Sequence, residues 1–172
     1  MGRKDPEFLS VSDSLIIQII ELIKNGIRQK LDAAKKMIDC DKDIAAGIYV
    51  YALEELGKLE ILKDAQNSNL LKYRDAFLCH EIKFSRAHDC VKKYHHLECV
   101  YLTKGFSPTS FSESFRLSLI VKSKARLGVF YLDFDYNKST NTAIKAKDIP
   151  DVEETMLRSA IDGLEDVIGK WA

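Results

Sequence analysis

The stretch Ile48-Tyr49-Val50-Tyr51-Ala52-Leu53-Glu54-Glu55-Leu56-Gly57-Lys58-Leu59 decides how the rest of the chain is read. On a helical wheel of ~100° per residue, Ile44, Ile48, Ala52, Leu59 and Leu62 gather into one apolar stripe. Glu55 falls near the middle of that stripe, with Glu54 and Lys58 on its flank. A carboxylate aimed at a core must be paired, hydrogen-bonded or protonated, because its unpaired burial costs several kcal/mol or more. The segment therefore predicts a buried-facing helix and a polar partner waiting on a neighbouring one.

Helical periodicity extends outward in both directions. Ser12 or Asp13 caps a first long helix whose stripe is Ile16, Ile20, Ile23, Ile27, Leu31, Ala34 and Ile38, with Asn25-Gly26 as a point of bending. The cluster Asp39 to Asp43 breaks the chain and recaps it. The second helix ends near Ala65 at the polar run Gln66-Asn67-Ser68-Asn69. A third helix is expected over about Leu70 to Leu102, faced by Leu70, Tyr73, Phe77, Phe84, Val91 and Leu102. Lys104-Gly105-Phe106-Ser107-Pro108 reads as a loop. Ser112 caps a fourth helix carrying Phe111, Phe115, Leu119, Val129 and Phe130. The alternation Phe130 to Tyr136 predicts an extended segment or short hairpin near 130–147. Asp151 and Glu154 form a capping-box-like start to a last helix faced by Leu157, Ile161, Leu164, Ile168 and Trp171. The expected fold class is all-α, a bundle of about five helices. Residues 1–9 read as a tag or disordered terminus, and 10–172 as one α-helical domain.

Composition sets outer bounds. At 172 residues the chain suits one domain with a substantial core, and 46% apolar with 30% charged residues describes an ordinary globular protein. Lys and Arg match Asp and Glu at 26 each, so no global field draws the chain to nucleic acid or anionic lipid, and an RNA site would be a local patch. Cys40, Cys79, Cys90 and Cys99 form no C-x-x-C pair and read as reduced thiols of a cytoplasmic protein. No run approaches the ~20 apolar residues of a membrane span.

Helix four repeats the anomaly with opposite sign, since Lys122 and Arg126 lie within ~20° of Phe115 on the wheel. Arg126 is the better partner for Glu55, because a guanidinium grips a carboxylate through two hydrogen bonds. His80 and Lys83 stand at i,i+3, the relation that lets two side chains act on one group. Arg74 lies ~120° from His80 if the helix is continuous. A break in that helix, or a site shared between two chains, would bring them together. His88, His95 and Cys99 share a face, but His88 and Cys99 are ~16 Å apart along a helix, and neither C-x-x-C nor H-E-x-x-H supplies further ligands. No metal site and no cofactor are expected. Phosphate-binding glycine loops and nucleophile elbows are also missing from the sequence.

Tyr51-Ala52-Leu53-Glu54-Glu55-Leu56-Gly57-Lys58, then His80-Glu81-Ile82-Lys83, then Arg126-Leu127-Gly128-Val129-Phe130-Tyr131-Leu132-Asp133, in this order and at these separations, resemble the AbiV family of abortive-infection proteins, within the HEPN superfamily of small α-helical proteins. The likeness runs from about Ile16 to Ile168. It implies bacterial antiphage defence, in which macromolecular synthesis, translation above all, is stopped before progeny are released. It implies a homodimer with its polar site near the junction, and a phage-encoded protein as trigger. Many HEPN proteins are metal-independent endoribonucleases with an Arg-x(4–6)-His motif, a window that Arg74 and His80 satisfy. In that chemistry His80 is general acid or base on a ribose 2′-hydroxyl and Arg74 stabilises phosphorane charge. The other reading makes Glu54, Glu55, Lys58, His80, Lys83 and Arg126 a polar cluster for dimerisation or for binding a phage or host protein, blocking translation without catalysis.

Overall fold

Asp41 accepts hydrogen bonds from the backbone amides of Asp43 and Ile44 at 3.0 Å and so starts the helix on which the molecule is organised. The computed structural model describes residues 7–100, the strands at 134–137 and 142–146, and residues 152–171. Within these, β1 (Phe8–Ser10) leads into α1 (Asp13–Met37), and α2 (Lys42–Ser68) follows. β2 (Leu70–Lys72), a π-helical turn (Arg74–Leu78), α3 (His80–Lys93) and a 3-10 turn (Leu97–Val100) come next. β3 (Phe134–Asn137), β4 (Thr142–Ala146) and α4 (Glu154–Lys170) complete the described elements. The all-α bundle is what forms, with two small antiparallel pairs added to it.

Helix α1 begins and ends as its sequence dictates. Ser12 caps it, Lys35 and Lys36 complement the dipole in its last turn, and Ile16, Ile20, Ile27, Leu31 and Ala34 face inward. It runs through Asn25-Gly26 without interruption. Helix α2 packs against α1, α3 and α4 and is buried around most of its circumference. The apolar stripe expected of it holds at Ala52, Leu59 and Leu62, but Ile44 and Tyr51 on the N-terminal half of that side are exposed. A helix at the centre of a bundle has several inward faces, so a single-stripe reading underestimates what it buries.

The third helix is not continuous. Leu70–Lys72 instead pairs with Phe8–Ser10, with Leu9 opposite Leu71, so Phe8 and Leu9 of the 1–9 terminus are strand residues. Cys79, in an extended conformation (φ −98°, ψ 97°), separates the π-turn from α3. His95, in the left-handed region at φ 63°, follows the end of α3. These breaks leave Leu70 and Phe77 exposed, while Phe84 and Val91 keep their inward positions. No Gly or Pro announces either break.

The hairpin expected near 130–147 is present as β3 and β4, antiparallel, with a register shift between Asp135 and Tyr136. The fourth helix expected from Ser112, with Lys122 and Arg126, lies outside the described residues, and so does the Glu55–Arg126 pair. Helix α4 buries Leu157, Ile161, Leu164 and Ile168 as expected. Its N-cap is Glu153, without a side-chain capping bond, and Asp151 lies outside the described residues.

A buried polar tie fixes the N-terminal part of α2. The Tyr49 hydroxyl, wholly enclosed, donates to the Cys99 carbonyl at 2.6 Å. Tyr49→Phe leaves that carbonyl without its donor and should cost about 1–3 kcal/mol. Urea unfolding should show a lower midpoint at unchanged slope; coincident curves for parent and variant would refute the tie's importance.

Candidate functional site

Gly57 brings α2 and α3 into backbone contact. A Cβ at Gly57 would stand 1.7 Å from the Lys83 carbonyl oxygen and 2.4 Å from its carbon, so only glycine permits this crossing. One turn before Gly57 along α2, Glu54 is turned into the same crossing and is 6% exposed. Lys83, 3% exposed, reaches back along α3, and its Nζ meets Glu54 Oε1 at 2.7 Å. His80, in the first turn of α3, places Nδ1 at 2.7 Å from the same oxygen. The i,i+3 spacing of His80 and Lys83 therefore does put both side chains on one group, and that group is Glu54.

The inward-facing carboxylate is thus Glu54 and not Glu55. Glu55 accepts both bonds from Lys58 Nζ at 2.8 and 2.9 Å, in a pair whose side chains are about a quarter exposed. The wheel placed Glu55 toward a core because it assumed one apolar stripe, whereas α3 covers the side of α2 on which Glu54 lies. Arg74, on the π-turn, is exposed and makes no ion pair with another described residue. The structure thus brings Glu54, His80 and Lys83 together, sets Glu55–Lys58 beside them, and does not join Arg74 to them.

Electrostatics keeps Glu54 charged. Burial pushes its pKa up, but the hydrogen bonds from Lys83 and then His80 outweigh this and hold it below the ordinary glutamate value. An ionised carboxylate can only accept, so Nδ1 of His80 donates to Glu54. His80 is also the member that reaches solvent, with a third of its side chain exposed against less than a tenth for Glu54 and Lys83. The cluster can orient an imidazole for proton transfer or present it as a recognition group. Among the described residues no three His, Cys, Asp or Glu side chains are grouped to hold a metal ion. Nor is any described helix long and apolar enough to cross a membrane.

No family model, curated protein or solved structure matches this chain.

Sequence reasoning missed the function of Gly57, although its signal is plain in retrospect. A glycine inside an otherwise strong helix costs about 1 kcal/mol relative to alanine and asks for a packing reason. It also missed His96, whose ring lies 2.6 Å from both Glu98 Oε1 and Asp166 Oδ2. That pairing joins residues 70 positions apart and left no local pattern to read.

Proposed function

We propose that this chain is a cytoplasmic antiphage abortive-infection protein of AbiV type, built on a HEPN-like bundle, that acts as a homodimer and halts translation by binding a protein partner. A phage-encoded protein is the trigger in this reading. The observation that carries binding over catalysis is the state of the site. Lys83 is spent in a buried ion pair with Glu54, and Arg74 is not assembled with His80. A phosphate arriving at His80 would meet in Lys83 a cation whose charge Glu54 already neutralises. What the surface offers instead is exposed Ile44 and Tyr51 on α2, with half-buried Ile48 between them and the Glu55–Lys58 pair continuing past Glu54. A second copy of this chain is the occupant we assign to it, and light scattering should then give a mass near twice 19.6 kDa.

The alternative, a metal-independent endoribonuclease using Arg74 and His80, draws support from the break at Cys79. That break frees the two residues from the ~120° separation of a continuous helix. Incubating parent and His80→Ala protein with total RNA in EDTA separates the readings. Binding predicts intact RNA with both proteins and phage resistance lost in the variant. Cleavage by the parent that disappears in the variant would overturn binding in favour of the nuclease.

A further inference from the structure

The turn after α3 is fastened to the rest of the molecule at three points. Tyr49 on α2 donates to the Cys99 carbonyl, and the Cys99 thiol donates to the Ala160 carbonyl on α4 at 3.6 Å. The third fastening is His96, whose Nδ1 meets Glu98 and whose Nε2 meets Asp166 of α4, each at 2.6 Å. A neutral imidazole has one N–H and cannot donate to two carboxylates, so this geometry demands the imidazolium. Gly163 makes room for it: a Cβ there would lie 2.9 Å from Glu98 Oε1, 3.0 Å from Cys99 Sγ and 3.2 Å from His96 Nδ1.

We propose that His96 is a pH-operated latch, fastening the Leu97–Val100 turn to α4 as an imidazolium and releasing it on deprotonation.

The other fastenings of the turn are a phenol and a thiol, with His95 next to His96 in the chain. Burial, then the charge of Glu98, pushes the Cys99 thiol up to about 12. Burial likewise raises Tyr49 well above the ordinary phenol value. Asp166 is held low by Lys170 one turn on and by His96. The Tyr94 hydroxyl, from the end of α3, donates to the Lys170 carbonyl. Near neutral pH, His96 is therefore the fastening whose charge changes. Its own pKa is raised, by the Glu98 hydrogen bond first, against burial, with Asp166 adding to it. A raised folded value places the stabilisation below pH ~6.5, and it is lost as pH rises through the folded pKa. The latch opens on the alkaline side.

The test uses the full chain. NMR titration should show the His96 ring, assigned by its disappearance in His96→Gln, titrating above 6.5. Amide exchange over 97–100, corrected for intrinsic rates, should lose about tenfold in protection per unit by which the folded pKa exceeds that of the unfolded chain. Asp166→Asn removes one carboxylate and should move both midpoints to lower pH, and His96→Gln should leave protection low and flat. A parent ring titrating at or below 6.5, or parent protection independent of pH through the ring's midpoint, would overturn the proposal.

Discussion

Gly57→Ala should be among the most damaging single-methyl additions this protein can suffer. The new Cβ would coincide with the Lys83 carbonyl, and backbone, unlike a flexible side-chain end, cannot swing aside. The two helices must move apart, which uncovers the Glu54–Lys83 pair and loosens the packing around Phe84. Overpacking costs ~1–3 kcal/mol in ordinary cores. We expect the upper end here, about 3 kcal/mol, despite the ~1 kcal/mol that alanine gains in helix propensity. For a domain of this size that lowers the melting temperature by about 6–12 °C. Gly26→Ala is the control, because its Cβ would meet only the tip of Lys30 at 3.6 Å. It should stabilise by about 0.5–1 kcal/mol. Opposite signs from the same substitution on two helices would identify the crossing as the cause. Similar melting of Gly57→Ala and the parent would show that the helices do not touch there.

Glu54→Gln carries the second large effect. The substitution keeps the shape and removes the charge that holds buried Lys83. Breaking a buried pair from one side costs about 3–5 kcal/mol, because the stranded ion has lost its counter-charge. Pairing it with Lys83→Met should recover most of that loss, since a buried ion pair exchanged for apolar volume is often neutral. Glu55→Gln, in contrast, removes a partly exposed partner and should cost ~1 kcal/mol or less. A urea double-mutant cycle measures all of this, and additive single losses at 54 and 83 would rule out the coupling. The same pair gives an acid dependence. Because the folded pKa of Glu54 is lowered, its contribution is full above ~4.5 and disappears as pH falls through the folded value. Parent protein should lose stability over that acid range, and Glu54→Gln should lose less.

The two carboxylates show where reading the chain succeeds and where it stops. The sequence marks Glu54-Glu55 as an anomaly because neither charge belongs on an apolar helix, and residue type alone shows that. Which of the two goes inside depends on the angle at which α3 crosses, and no wheel drawn on one helix contains that angle. His80 and Lys83 are legible as a pair because i,i+3 is a local relation that survives once that turn of helix forms. Arg74 and His80 are separated by the extended backbone of Cys79, and the strand just before them, Leu70–Lys72, pairs with Phe8–Ser10 about sixty residues earlier.

By itself the sequence determined the all-α class, the limits of α1, a cap at Ser12 or Asp13, a recapping within Asp39 to Asp43, and an extended segment or hairpin beyond residue 130. It also marked Glu54-Glu55 as anomalous and paired His80 with Lys83. All of these rest on interactions within a few residues of one another, where periodicity, capping and turn chemistry operate. Only the tertiary structure decided which carboxylate is buried, why residue 57 has no side chain, and that His96 joins two distant carboxylates. Those outcomes depend on how closely two rods approach and at what angle, and that distance is set by every side chain in the interface at once.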